Sequence, residues 1–139
     1  MDFIVGGTAN GKKEWAMRHY QEKPILLWHS FFKADISECV LPTGQNGVLV
    51  IEAFDEAVKK HLDQPEKLQQ WYKTIRNWEN EYQDRKLAII GADINKGIVP
   101  IEKKDRQLRD EVGLWYQQFM KEAGQVYEVW YGLAVKWKG

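Results

Sequence analysis

Residues 3–5, 25–28, 48–51 and 87–90 are apolar at every position. A strand with one wet face alternates apolar and polar side chains. An unbroken apolar run belongs to a strand buried on both faces, as in a parallel sheet covered by helices. Between these runs the pattern changes to helical spacing. After Gly11, the residues Trp15, Ala16, His19 and Tyr20 fall near one helical face, and Pro24 is expected to stop that helix. Residues 54–62 read as a short helix. Pro65 opens a longer one, in which Leu68, Trp71, Tyr72, Ile75, Trp78 and Tyr82 recur at steps of three and four. The clearest helix covers 102–123, with Leu108, Val112, Trp115, Tyr116, Phe119, Met120 and Ala123 on one stripe and Gly124 as its stop. The stripe reads as core or subunit interface. Residues 126–131 and 133–137, parted by Gly132, read as a final hairpin or bend at the sheet edge. Residues 30–46 have no clear period. The alternation through 1–139 predicts one α/β domain with a mostly parallel sheet, helices on both faces and an antiparallel edge strand.

The charge balance narrows the function. Twenty Lys and Arg meet twenty Asp and Glu, and a zero net charge argues against a general nucleic-acid binder. It gives no reason for attraction to anionic membranes. No apolar run approaches the length that spans a bilayer, and no basic segment followed by a long apolar one opens the chain, so a cytoplasmic protein is expected. A single cysteine, Cys39, excludes an internal disulfide or a multi-cysteine metal site. His19, His29 and His61 are scattered and form no metal-binding pair. The seven tryptophans exceed what a core this small needs, which points to an interface as well.

One loop carries the sharpest chemistry. Gly6, Gly7, Thr8, Ala9, Asn10, Gly11, Lys12 and Lys13 join the first strand to the first helix and match GxxxxGK. Glycines let such a loop curl its N–H groups inward around phosphate oxygens, and the helix behind adds its positive end. Lys12 then reaches the β- and γ-phosphates of ATP or GTP. The next position normally carries a hydroxyl for Mg2+, and here it is Lys13. The bland alternative is a glycine-rich connection that holds nothing. Glu52 and Asp93 close the third and fourth apolar runs, at the carboxyl ends where open parallel sheets bind ligands. They are candidates to hold Mg2+ through water or to position a substrate hydroxyl, with helix capping as the plain alternative. Asp55 and Glu56 are expected to serve the dipole of their helix.

With these residues in view, the chain resembles the adenosylcobinamide kinase/adenosylcobinamide-phosphate guanylyltransferase family of cobalamin assembly. The resemblance is carried by the opening strand with its loop, by Gly47-Val-Leu-Val-Ile-Glu52, and by Asp93 to Pro100 with Gly97-Ile98-Val99-Pro100. It continues in Arg106, Asp110, Gly113 and Gln117 on the long helix, and in Gly132 with Lys136. It implies a three-layer P-loop fold of the RecA-like type, a nucleotide and a corrinoid as ligands, and a homotrimer.

The departures shape the expectation. The family's His-Arg-x-x-R-P-x-x-W segment, whose histidine takes the guanylyl group, has no counterpart here, and His29 does not match it. Lys13 replaces the serine of the loop. Ala92-Asp93 replace Asn-Glu, and Asn95 replaces a glycine. The resemblance therefore implies a kinase, with Lys12, Glu52 and Asp93 as catalytic residues, that moves a nucleotide's γ-phosphoryl group to adenosylcobinamide. Guanylyl transfer is not expected. The alternative is a catalytically degenerate homologue that binds nucleotide or corrinoid in a regulatory or structural role. Arg106 and Asp110, one turn apart, also fit a plain surface ion pair.

Overall fold

The structure is a computed structural model that describes residues 1–7, 11–94 and 102–139. The four apolar runs form neighbouring strands, each longer than its run: β1 (Asp2–Gly6), β2 (Ile25–Ser30), β3 (Gly47–Glu52) and β4 (Arg85–Ala92). The helices between and after them are α1 (Lys12–His19), α2 (Phe54–Lys60), α3 (Pro65–Glu81) and α4 (Lys103–Glu122), followed by β5 (Gln125–Trp130) and β6 (Leu133–Lys138). The six strands make one sheet in the order β2-β3-β4-β1-β5-β6. Every pairing is parallel except β5 with β6, which is the expected edge hairpin. Val48 to Ile51 and Leu87 to Ile90 have no meaningful exposure, as runs buried on both faces require.

The two faces are covered unequally. Phe3, Leu49, Ile51, Leu87 and Ile89 meet the apolar stripes of α2, α3 and α4 in the larger core. Ile4, Val48, Val50, Ala88 and Ile90 face α1 through Ala16 and Tyr20. α1 is only 8 residues long, so partly buried Trp15, Ile25 and Trp28 finish that layer. Its far end is pinned to the sheet where the Tyr20 hydroxyl donates to Asp2 Oδ2 at 2.6 Å. Lys86 Nζ approaches the other oxygen of this buried carboxylate at 3.3 Å. α1 thus ends at His19, before Pro24, because Tyr20 is drawn into the sheet.

The helical stripes are seated as their spacing implies, with two exceptions. Leu68, Trp71, Tyr72, Ile75 and Trp78 of α3 are buried, whereas Tyr82 lies beyond the helix end and is half exposed. Val112, Trp115, Tyr116 and Phe119 of α4 are buried, whereas Met120 points outward. The buried face of α4 runs from Val112 through Trp115 and Tyr116 to Phe119, which turns Met120 away. Ala123 leaves the helix in extended conformation, so Gly124 follows the stop rather than making it.

The stretch without a sequence period is held by contacts distant in the chain. After a short 3-10 turn, Ile36–Glu38, capped by the Asp35 side chain, it runs beneath Arg85. The Arg85 guanidinium lies 4.5 Å from each of the Trp78 and Tyr82 rings. It donates to the carbonyls of Gly44 (2.8 Å), Trp78 (3.0 Å) and Thr43 (3.3 Å). Trp78 Nε1 donates to Pro42 O at 2.7 Å. A planar cation with a fork of donors suits a loop whose carbonyls have no strand partner.

Candidate functional site

The carboxyl ends of β3 and β4, the first turns of α1 and α2, and Phe32 just past β2 surround a cavity of about 360 Å3. A pocket of this size is within the range of small-ligand sites. Its walls include Gly11, Lys12 and Lys13 on one side and Glu52, Asp55 and Gly91 on the other. Sequence order alone places these residues far apart. The parallel sheet brings them to one edge because each strand delivers its next loop to the same end.

The loop enters helix α1 at the predicted point. Gly11 stands at φ 81°, ψ 21°, a left-handed conformation that disfavours a side chain, and its carbonyl accepts from Trp15 N at 2.9 Å. A Cβ there would also come within 3.0 Å of Gly132 N, so the β5–β6 turn packs against the loop. Gly132 itself stands at φ 79°, directly after the left-handed Tyr131, so the tight turn calls for a glycine there. Lys136 lies farther along β6, with its ammonium 5.8 Å from the Tyr127 ring. Thr8, Ala9 and Asn10 lie outside the described residues, as does the 97–100 segment of the resemblance.

Lys12 lies across the cavity mouth. Its Nζ donates to Gly7 O at 2.7 Å. Burial lowers its pKa below the ordinary lysine value, and the charges of Asp55 and then Glu52 push back. Lys13 is exposed, with its ammonium 5.7 Å from the centre of the Trp28 ring. The same indole donates from Nε1 to Glu52 Oε1 at 3.3 Å. Trp28 therefore ties the second lysine and the strand-end carboxylate to one ring, a link that sequence spacing does not reveal.

Sequence reasoning assigned Asp55 to a helix dipole, and it does lie in the first turn of α2. It also does more. Its Oδ1 accepts from Ala92 N at 3.0 Å, which fixes the carboxylate at the end of β4. It is the first of the two carboxylates acting on Lys12. The signal was a strand end followed within three residues by an acid. Asp93 is placed differently: its N–H donates to Gly6 O at 2.7 Å, and the cavity lining on that strand runs through Ala92. Asp93 thus buttresses the loop stem through its backbone.

Two further features shape the floor. Ala53, between Glu52 and α2, stands at φ 61°, ψ 51°, a strained conformation for a residue with a side chain. It turns the chain sharply enough to put Glu52 and Asp55 on the same cavity. Tyr116 of α4 donates its hydroxyl to Ala92 O at 2.7 Å. Burial above all, with Asp55 and Asp93 adding to it, raises the Tyr116 pKa and keeps it a neutral donor.

None of the three histidines lines this cavity. His19 stacks on Trp15 with ring centres 4.6 Å apart. His61 Nδ1 pairs with Ala57 O at 2.7 Å. His29 is buried against Phe31, and its Nε2 has no partner among the described residues. On α4, Asp110 meets Arg109 at 3.6 Å and lies with Gly113 and Gln117 along a shallow surface depression. Among the described residues, no three His, Cys, Asp or Glu side chains come together to hold a metal ion, and no helix is long and apolar enough to cross a membrane.

The donor chemistry suits Mg2+ only in part. Glu52 and Asp55 supply oxygens, but Lys13 stands where a loop hydroxyl would bind the ion. A family model described as cobinamide kinase / cobinamide phosphate guanyltransferase matches residues 17–137. The match starts inside α1, so the glycine loop rests on its own geometry. No curated protein matches the chain.

Proposed function

The chain belongs to the cobinamide kinase / cobinamide phosphate guanyltransferase family, and on that premise we propose that it binds ATP or GTP in this cavity and transfers the γ-phosphoryl group to a cobinamide hydroxyl. The observation that carries the reading is a half-buried lysine at the mouth of a glycine loop, facing carboxylates across a cavity at the ends of parallel strands.

Polyphosphate lies at the start of α1, on the amides of the described part of the loop, Gly6, Gly7 and Gly11 to Lys13. Lys12 exchanges its bond to Gly7 O for phosphate oxygens. The acceptor oxygen attacks the γ-phosphorus, the bond to the β-phosphate bridging oxygen breaks, and the nucleoside diphosphate leaves. Glu52, oriented by Trp28, accepts the hydroxyl proton. Asp93, just past β4, holds the loop stem at Gly6 through its backbone. Mg2+, when bound, would be held through water by Glu52 and Asp55 and would neutralise phosphate charge. Positioning and charge supply most of the rate in such transfers.

We assign no covalent guanylyl step, because none of the three histidines lines the cavity. Lys13 favours a second reading, in which nucleotide binding survives and transfer does not. Incubation of the protein with ATP or GTP, Mg2+ and adenosylcobinamide, followed by mass analysis, separates the two. Phosphorylated corrinoid at the expense of nucleotide supports the kinase. Nucleotide binding without that product selects the second reading, and no binding removes both.

A further inference from the structure

Two adjacent phenylalanines after β2 have opposite fates. Phe31 is fully buried, with its ring 5.3 Å from Trp71, whereas Phe32 is 68% exposed. The split is imposed by the backbone. Phe31 N donates to Glu52 O at 3.0 Å, and Lys60 Nζ donates to Phe31 O at 2.7 Å. Ser30 then closes the turn: its carbonyl accepts from Lys33 N and Ala34 N, both at 3.0 Å, and its Oγ accepts from Phe32 N at 3.3 Å. With Phe31 locked inward, the Phe32 ring is held out, and the surface it stands on is the wall of the cavity.

A large apolar ring held two-thirds in water is unexplained by packing. Its position in the sheet indicates what it would meet. The glycine loop follows β1, whereas Phe32 follows β2, three strands away in the order β2-β3-β4-β1. At about 4.8 Å per strand, that separates the strand ends by roughly 14 Å. The γ-phosphate at Lys12 does not span such a distance, but a second substrate approaching from the β2 side does. The charges on this side also discriminate. Glu52, Asp55 and Glu56 lie on the β3–α2 wall, while both lysines belong to α1. The Lys13 ammonium over Trp28 and the Lys60 ammonium on Phe31 O also reach this side, which leaves the three carboxylates in slight excess and favours a neutral or cationic molecule over a further anion.

We propose that Phe32 is a specificity residue of the acceptor subsite, stacking against the flat apolar face of a neutral or cationic acceptor. This rests on the kinase-type reading above and names the side of the cavity from which its acceptor enters. Phe32 acts by contact alone and takes no part in proton or phosphoryl movement.

Affinities of the wild type, Phe32→Ala and Phe32→Trp for cobinamide and, separately, for ATP test it by calorimetry. Loss of the ring should weaken cobinamide binding about tenfold and leave ATP affinity unchanged. Phe32→Trp should stay within about threefold of wild type, since it keeps a stacking face. Because Phe32 is exposed, its removal leaves the melting temperature in place, and a scan on each variant verifies that. Unchanged cobinamide affinity in Phe32→Ala overturns the proposal while ATP binding stands. A fall in ATP affinity instead also overturns it, since the ring then serves the nucleobase. A wild type that binds ATP but no cobinamide sinks the acceptor subsite, and one that binds neither sinks the underlying reading.

Discussion

Replacement of Lys12 by alanine isolates the charge on which nucleotide binding turns. In the free protein its ammonium donates to Gly7 O at 2.7 Å. Binding must break that bond, worth about 1 kcal/mol net, and make a charge-assisted bond to phosphate worth about 1.5–3 kcal/mol. The difference, about 0.5–2 kcal/mol for one phosphate contact, predicts a rise in the ATP Kd of roughly 2- to 30-fold. Fold stability should change little. The variant loses the Gly7 bond, but it also removes a cation whose charged form burial disfavours. The pH dependence gives a second readout. The charged form binds phosphate, and burial lowers the Lys12 pKa. Wild-type affinity should therefore hold at neutral pH and fall at a lower alkaline pH than an ordinary lysine would give. Lys12→Ala should lack that fall. Calorimetric titration across pH, beside thermal melts, measures both. A Kd within twofold of wild type at every pH would refute the reasoning, as would a loss of affinity explained wholly by unfolding.

Three other outcomes are expected. A Cβ at position 91 would stand 2.1 Å from the Tyr116 hydroxyl oxygen. Gly91→Ala should therefore cost about 2–4 kcal/mol through crowding and loss of the Tyr116–Ala92 bond, read as a melting temperature lower by roughly 10 °C; an unchanged melt would refute it. Burial pushes the Cys39 thiol up to about 11. At pH 8 its alkylation by iodoacetamide should run about 100-fold slower than that of an ordinary thiol and keep rising to about pH 11, whereas a plateau near pH 9 would contradict the burial. Lys13→Ser restores a hydroxyl beside Lys12, so added Mg2+ should strengthen ATP binding several-fold more in the variant than in wild type. Equal responses would remove Lys13 from the metal question.

The unbroken apolar runs, the glycine loop and the helical stripes were legible because each depends on near neighbours. A run buried on both faces, a left-handed glycine before a helix and a step of three or four are local facts. They determined the α/β class, the parallel strands, the hairpin edge and the position of Lys12. They also pointed to Glu52, since the end of a parallel strand is where such sheets hold ligands.

Contacts across the fold were beyond that reach. Asp55 reads as a helix-dipole acid until β4 brings the Ala92 N–H to it. Trp28 reads as a strand residue until α1 and β3 place Lys13 and Glu52 against one ring. Phe31 and Phe32 are the same amino acid twice, and only the Ser30 turn and the Phe31 anchors decide which is core and which is surface. Spacing along a chain fixes what an element is, because its hydrogen bonds are local. The use of each side chain depends on partners up to dozens of residues away, and only the closed sheet brings those into contact.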